Sequence, residues 1–399
     1  MTSEKKQVYF TVFTPTYNRR KTIINVYESL KRQTYKSFEW IVVDDGSTDE
    51  TSSFFDSLIV SENEFRIIYV KKSNGGKMRA NNIALKLADS VAFLNVDSDD
   101  YLLDDTLETL HEWFIRIEDR VEIAGVSGIK RIVGREKKYK FDMIEATNIE
   151  RRKYDLVADM SECYKTALLK CYPAPVFEDE KYLSPSIVHN MIARDGYKLC
   201  WYDKEIQVCE YLEDGLSKIG KNAHFLNNPR GFALSISLSI AIKNDPDYAE
   251  FQYYYYYTLF KDRYSIREIS EMLSLAEKQL ERMVRDKPKV IRQLSNFFKD
   301  SNIKKVAIYG LGAAAKKLIP FIDDIGLEVI YGIDRNPNGL LEKVYLPTDN
   351  LPQVDAIILT NYYEIEDIRR YMEHLTKIRI ISLEKDILDK GLGYYFSEI

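Results

Sequence analysis

Paired cysteines, long apolar runs and a marked excess of either charge are all missing from this chain, and each absence closes off a class of protein. The four cysteines, Cys163, Cys171, Cys200 and Cys209, show no CxxC spacing and have no histidine companions. Reduced residues of a cytosolic protein are expected from them, not a zinc site. No run of about 18 uncharged apolar residues exists, so no spanning helix is expected. The 57 basic residues nearly balance the 62 acidic ones, for a net charge of -5, which gives no general nucleic-acid signal. The opening MTSEKKQVYF is polar and soon enters a strand, so it does not read as a signal peptide. No GxxxxGK precedes a Ser or Thr, and the first turn is not GxGxxG. A Walker loop is thereby excluded, as is a dinucleotide fingerprint in the first part of the chain. At 399 residues the chain is too long for one ordinary core, and two or three domains are expected.

What is present is a strand–helix rhythm with polar residues at the strand ends. Residues 8–13 predict a strand closed by Thr14-Pro15-Thr16-Tyr17-Asn18, and residues 22–30 a helix with Ile23, Val26, Tyr27 and Leu30 at helical spacing. Residues 38–43 predict a second strand, ending in Asp44-Asp45-Gly46 before a helix that Ser47 or Thr48 could cap. A third strand over 66–70 leads to Ser73-Asn74-Gly75-Gly76 and a helix over 77–89, with Ala80, Ile83, Ala84, Leu87 and Ala88 on its apolar side. The fourth strand, Val91-Ala92-Phe93-Leu94, is apolar throughout and ends in Asp97, Asp99 and Asp100. Carboxylates this close repel one another, and burying them unpaired is costly. A positive group belongs among them, and a divalent cation carrying a phosphorylated ligand is the economical one. The alternation indicates a mostly parallel sheet, whose ligands bind outside the carboxyl ends of its strands. Pro15, Tyr17, Asp45, the stretch from Gly75 to Arg79, Asp97 and Asp99 could then converge on one ligand. A carboxylate can accept from a base N–H, Lys77 or Arg79 can face phosphate, and the last aspartates can hold the metal.

TPTYNR, VDDGSTD, SNGGKxRAxN and FLNVDSDD, in that order, resemble the nucleotide-sugar domain of family 2 glycosyltransferases, which have the GT-A fold. The resemblance runs from about residue 7 to about residue 220. It implies an inverting transfer from a nucleotide-activated sugar, usually with Mn2+ or Mg2+. It also implies that Asp45 recognises the base and that Asp97-Ser98-Asp99 is the DxD motif, with Asp97 near the ribose and Asp99 on the metal.

Inverting displacement needs a base opposite the leaving phosphate. Glu178, Asp179 and Glu180 supply three carboxylates within CYPAPVFEDEKYLSPSIVH. That run is similar to a segment of the family 2 enzymes that build bacterial cell-surface polymers. In one alignment Glu178 matches the Glu of an EG-x-KF segment, and Pro185 stands where a later carboxylate is expected. In the other, Glu178-Asp179 is the family's catalytic Glu-Asp pair. Asp179 is favoured as the base, with Glu180 close behind. The run from Glu210 to Ser217 resembles a Tyr-x-x-Asp-Gly-Leu-Ser/Thr run of the same enzymes, which implies that Asp214 and Ser217 help close the site. His189 and His224 are isolated and read as structural or surface residues. Between these features, residues 104–119 predict a helix, 124–129 and 131–133 a strand, 134–158 a charged excursion over the sheet, and 197–202 and 206–209 two short strands.

Residues 223–300 lose this rhythm and predict three or four helices. The run at 232–242 is too short to span a bilayer. Five consecutive tyrosines, 253–257, cannot share one helix face. Packing within the protein is the plain expectation, with a second subunit or a membrane surface as the other settings for such side chains. The last hundred residues start afresh: a strand at 305–309, then Gly310-Leu311-Gly312-Ala313-Ala314-Ala315, a helix to about 323, and a strand at 327–333 ending at Asp334. Strands at 355–359 and 378–383 follow. This order resembles a Rossmann-type nucleotide-binding domain, with Gly310, Gly312 and Asp334 as its nucleotide candidates.

The expected class is α/β, with a GT-A domain carrying a mostly parallel nucleotide-sugar-binding sheet over 1–222, a helical connector over 223–300 and a small Rossmann-like domain over 301–399. The expected activity is metal-dependent transfer from a UDP-sugar to a hydroxyl of a bacterial cell-surface glycan or teichoic-acid-like polymer. The setting is the cytoplasm or the inner face of the cell membrane; the acceptor could be lipid-linked and the chain a homo-oligomer. The rival is a non-catalytic nucleotide-sugar-binding or assembly protein, kept in view by Pro185 and by the unsettled base.

Overall fold

The structure, a computed structural model, describes residues 7–134, 141–154, 156, 159–210, 221–335, 340–361, 365–388 and 392–396. The chain divides into two compact units, residues 1–238 and 239–399.

The first unit opens with β1 (Val8–Thr16), α1 (Ile23–Lys31), β2 (Phe38–Asp44), α2 (Thr51–Ser61), β3 (Arg66–Lys71), α3 (Lys77–Leu87) and β4 (Ser90–Asn95). These four strands are mutually parallel in the order β3-β2-β1-β4. Each is joined to the next by a helix, as parallel neighbours require. The chain then passes through β5 (Asp100–Leu102), α4 (Thr106–Ile115), β6 (Ile123–Ile132), β7 (Met143–Ala146), β8 (Met160–Lys165), α5 (Thr166–Leu169), α6 (Ser186–Arg194) and β9 (Lys198–Cys209), followed by α7 (Lys221–Asn227) and α8 (Pro229–Lys243). Here the sheet turns mixed: β4 pairs antiparallel with β8, β8 antiparallel with β6, and β6 parallel with β9. β1 lies between β2 and β4, so successive connections leave it in opposite directions. The crevice this opens at the carboxyl ends of β1, β2 and β4 is where ligands of open α/β sheets bind.

The core explains the strand choice. Phe10, Val12, Trp40, Val42, Ala92 and Leu94 are fully buried and pack with Ile23, Val26 and Leu30 of α1 and Leu107, Leu110 and Phe114 of α4. Each such large side chain contributes about 1.5–3 kcal/mol by leaving water. Polar residues in this core are paired. The Trp40 indole N–H donates to Thr14 Oγ1 at 3.0 Å, and the Thr11 hydroxyl donates to buried Glu39 at 3.0 Å.

Several sequence expectations need correction. β4 is not covered along its whole length, because Val91 is exposed. α3 ends at Leu87, which is also exposed; the inward stripe centres on Met78, Ala84 and Leu85 and rotates Leu87 outward. Ser47 and Thr48 do not cap α2, which begins only at Thr51 beside the Asp49 carboxylate. Part of the 134–158 excursion is β7, paired with β9. β9 is one strand of 12 residues, and β6 runs unbroken through Lys130.

In the second unit α9 (Pro246–Phe260), α10 (Ile266–Leu273), α11 (Glu277–Asp286) and α12 (Lys289–Asp300) precede a parallel sheet. Residues 221–300 thus hold six helices where three or four were expected. Two of them start at side-chain caps: Asp245 accepts from Tyr248 N, and Ser265 with Glu268 forms a capping box. None of the five tyrosines is exposed. Tyr254 stacks on Phe321 and donates its hydroxyl to Asp324 at 2.9 Å, and the Tyr256 hydroxyl lies 3.2 Å from Met272 Sδ. The run is internal packing of this unit. The sheet comprises β10 (Lys305–Tyr309), α13 (Ala313–Leu318), β11 (Glu328–Ile333), β12 (Val344–Tyr345), β13 (Ala356–Leu359), α14 (Ile365–Leu375) and β14 (Arg379–Ser382). Its order β12-β11-β10-β13-β14 is parallel throughout and Rossmann-like. Among the described residues no helix is long and apolar enough to cross a membrane.

Candidate active site

Three strand ends build the crevice. β1 closes at Pro15 and Thr16, followed by exposed Tyr17 and by Asn18, whose side-chain carbonyl accepts from Thr48 N at 2.8 Å. β2 delivers Asp44 and Asp45, both buried. Asp44 receives Ser47 N at 2.7 Å and the Tyr69 hydroxyl, which fixes the turn. Asp45 faces the other way. Its oxygens accept Gly75 N at 2.8 Å and Gly76 N at 2.7 Å, and it pairs with Lys72. In the structure the residue read from the sequence as a base receptor holds the 72–76 loop.

β4 delivers the carboxylate turn. Lys77 Nζ, from the first turn of α3, lies 2.5 Å from Asp97 Oδ1, which Asn95 Nδ2 also reaches at 3.1 Å. Asp100 is buried; it accepts from Gln207 Nε2 at 2.5 Å and lies 3.5 Å from Lys130 Nζ. Ser98 is buried between these side chains in sequence. Burial alone would raise the Asp97 carboxyl, but the Lys77 and Lys130 ammoniums outweigh it and hold it well below the usual carboxylate range. Asp99 moves the other way, raised by burial and by the charge of Asp97. Asp100 is raised by burial too, against the pull of Lys130. Lys130 resists its own burial because Asp97, Asp100 and Glu162 surround it and raise its affinity for the proton.

Charge of this kind fits a divalent cation. Among the described residues no three His, Cys, Asp or Glu side chains could hold a metal by themselves. Mg2+-type sites, however, typically use one or two carboxylates and take their remaining ligands from substrate phosphates and water. Asp99, raised by burial and by Asp97 despite the opposing charges of Arg19 and Lys77, is the carboxylate that such an ion would neutralise.

The acidic loop is more tightly built than its sequence suggests. Glu180 is buried; its two oxygens accept Arg230 N at 2.6 Å and Gly231 N at 2.8 Å, capping the first turn of α8. Asp179 is exposed and lies 3.7 Å from Arg230, and Glu178 is exposed beside it. Arg79 spends its guanidinium on main-chain carbonyls: Gly75 and Glu180 at 2.5 and 2.7 Å, Glu178 at 3.2 Å, and Phe177. Pro185 precedes the first turn of α6. Asp214 and Ser217 lie outside the described residues.

Sequence reading passed over Lys130, Gln207 and Asn228, the last of which accepts both Lys181 N and Tyr182 N at 3.0 Å. Lys130 had a signal, the first cation to follow the buried apolar run of the strand IAGVSGIKRI. His189 is not isolated: its Nδ1 lies 3.9 Å from Glu162 and its ring 5.4 Å from Tyr164. His224 stacks on Tyr182 at 4.3 Å.

In the second unit Gly310 has φ +85°, and a Cβ there would sit 2.1 Å from Asn361 Oδ1, so only glycine fits. Asp334 Oδ2 accepts Leu311 N at 2.7 Å, and the space around Gly312 is open. The three nucleotide candidates do come together at one turn.

The family described as Glycosyl transferase family 2 matches residues 11–171. Glycosyltransferase GlyG of Streptococcus pneumoniae serotype 4 is 34% identical over 101 residues, 25% of this chain and 33% of GlyG. Poly(ribitol-phosphate) beta-N-acetylglucosaminyltransferase TarS of Staphylococcus aureus Mu50 is 31% identical over 165 residues, 40% of this chain and 28% of TarS. The chain thus spans a third or less of the length of these curated relatives. The crystal structure of S. aureus TarS 1–349 in complex with UDP-GlcNAc superposes with a TM-score of 0.49 at 21% identity, covering 79% of this chain and 88% of that one. The matched residues run from within β1 through β4 and the carboxylate turn, and over this stretch the chain is similar to glycosyl transferase family 2.

Proposed function

We propose that the chain transfers a sugar from a UDP-sugar to a hydroxyl of a bacterial cell-surface glycan or teichoic-acid-like polymer, with inversion at the anomeric carbon. The supporting observation is the turn from Asp97 to Asp100 at the switch point of the parallel sheet, with Lys77 on Asp97 and Lys130 beside Asp100. A crevice that gathers carboxylates and cations at strand ends suits a nucleoside diphosphate. The name of TarS supplies the substrate class: an N-acetylglucosaminyl donor and a polyol-phosphate acceptor.

In this reading Asp45 and the 72–76 loop receive the base, with Pro15 and Tyr17 lining the same end of β1. Asp97 faces the ribose. Lys77 balances negative charge next to the diphosphate. Mn2+ or Mg2+ would be held by Asp99 with Asp97 adjacent, and supplies Lewis-acid stabilisation of the leaving diphosphate. Asp179, exposed at the lip, takes the proton of the attacking hydroxyl; Glu178 is its alternate, because Glu180 is committed to the cap of α8. The transferase domain is assigned to residues 1–222 and the work to the cytoplasm, at the membrane's inner face when the acceptor is lipid-linked. The glycine turn at Gly310, Gly312 and Asp334 is a second nucleotide candidate, tested by calorimetry of the whole chain against NAD(H) and UDP-sugars.

A donor screen tests the main reading. Release of UDP, GDP and CMP is followed with each class of sugar nucleotide, Mn2+ and a polyol-phosphate acceptor. UDP release dependent on acceptor is the expected result. Binding of UDP-sugars without turnover on any acceptor would favour the non-catalytic rival.

A further inference from the structure

Arg79 was expected to face phosphate, yet its guanidinium reaches four main-chain carbonyls that belong to two different loops. One is the donor-side loop, through Gly75; the other is the acidic loop, through Phe177, Glu178 and Glu180. The same two loops meet again one turn earlier. Gly76 has φ +95°, and a Cβ there would lie 1.7 Å from Lys181 O. Backbone therefore packs on backbone with no room for a side chain. Asn82, farther along α3, completes the seam: its amide donates to Ala174 O at 2.8 Å and accepts Ala174 N at 2.9 Å.

The donor-side loop is itself held by Asp45, through Gly75 N and Gly76 N. A chain of direct contacts runs from Asp45 to Gly75 and Gly76, then to Arg79, then to the carbonyl groups flanking Asp179. Each link is a hydrogen bond or a close backbone contact, so a shift of the 72–76 loop is passed to residues 177–180. Five N–H donors in a rigid fork suit this task, whereas a lysine ammonium offers three donors on a flexible stem.

We infer that Arg79 is a positioning residue that couples occupancy of the nucleotide pocket to the placement of the acidic loop bearing Asp179. This rests on the transferase reading only for what the loop does once placed. In this assignment Arg79 acts through the main-chain carbonyls it holds and not on the reacting atoms. Its effect is on the distance between a base and a hydroxyl, where displacements on the order of 1 Å can cost about 100-fold in rate.

The test uses the full chain, UDP with Mn2+ as the probe, and the variants Arg79→Ala and Arg79→Lys. Hydrogen–deuterium exchange is followed over residues 73–76 and 174–183, UDP affinity by calorimetry, and kcat with the UDP-sugar found in the donor screen. In the wild type, UDP should protect both segments. In R79K, UDP should still protect 73–76 but no longer 174–183, with UDP affinity within about threefold and kcat lowered about 30-fold or more. R79A should behave likewise where it folds, and R79K alone decides where it does not. Retained protection of 174–183 in R79K overturns the inference. So does unchanged kcat, which would leave Arg79 a structural tie. A loss of UDP affinity of about tenfold overturns it too, since Arg79 would then be a donor contact. A wild type that shows both protections but turns over no sugar nucleotide defeats the transferase reading alone, and exchange then decides the coupling.

Discussion

The Glu180 carboxylate accepts the backbone N–H of Gly231 at 2.8 Å, and that single contact separates three adjacent carboxylates into different roles. Two N–H groups at the start of α8 have no intrahelical partner, and Glu180 satisfies both. Glu180→Ala should therefore lower stability by about 1–2 kcal/mol, the usual cost of a lost cap. Its unfolding midpoint should fall by about 2–8 °C. Asp179→Asn should leave the midpoint unchanged and reduce kcat by about 100-fold or more, the usual range for a lost general base. Thermal melts and initial rates on the same preparations check both; a D179N enzyme with wild-type turnover moves the base to Glu178 or away from this loop.

Lys130 and Asp100 form a buried pair, with side-chain exposures of 18% and 3%. Breaking such a pair from one side leaves a charge without compensation, at a cost of about 3–5 kcal/mol. Lys130→Met should accordingly be strongly destabilised in chemical unfolding. The double variant K130M/D100N should recover part of that loss, because neither charge is then stranded. Simple addition of the two single effects would show that the pair is not coupled.

Lys77 and Asp97 predict a functional effect with a small structural one. Both side chains are 29% exposed, so water offsets part of what is lost when the pair is broken. Lys77→Met should cost little in melting temperature but lower kcat/KM for the donor by about tenfold or more, as a charge beside the diphosphate is removed. Asp99→Asn should lose about 100-fold in turnover and require more Mn2+ for half-maximal rate. Metal titrations of the two variants distinguish them: only D99N should shift the Mn2+ requirement strongly.

His189 gives a pH dependence whose sign follows from burial. Desolvation pushes its imidazole below the usual 6.5; Glu162 opposes this, and Arg151, Lys130 and Lys77 reinforce it. The unfolded chain therefore takes up the proton first as pH falls. The stabilising contribution is complete above about 6.5 and is lost as pH drops from there through the lowered folded value. Melting temperature should fall between about pH 7 and pH 5, and His189→Gln should flatten that part of the curve. An identical slope in H189Q would assign the acid sensitivity to other groups.

Most of the parallel half of the first sheet was legible from residues alone. β1 to β4 are short apolar runs that each end in polar residues, and the same alternation marks β10, β11 and β13. The mixed half was less legible for a physical reason. β6 carries Lys130 in an apolar strand, and β9 changes from core to surface midway, so a periodic reading breaks both. Among the candidate site residues, Asp45, Asp97 and Asp99 stand out in the sequence because they follow strand ends, and Lys77 because it opens a helix after a glycine turn. The partners of Arg79, Glu180 and Asn228 were not, because they are backbone groups distant in sequence, and no pattern of side chains encodes where a carbonyl will point.

The most direct measurement is the anomeric configuration of the product, followed by proton NMR during turnover of an α-linked UDP-sugar with Mn2+ and a polyol-phosphate acceptor. The expected result is consumption of donor with a β-linked product appearing first. An α-linked first product, or a UDP-sugar that binds and is never consumed, would contradict single displacement by Asp179 at this site.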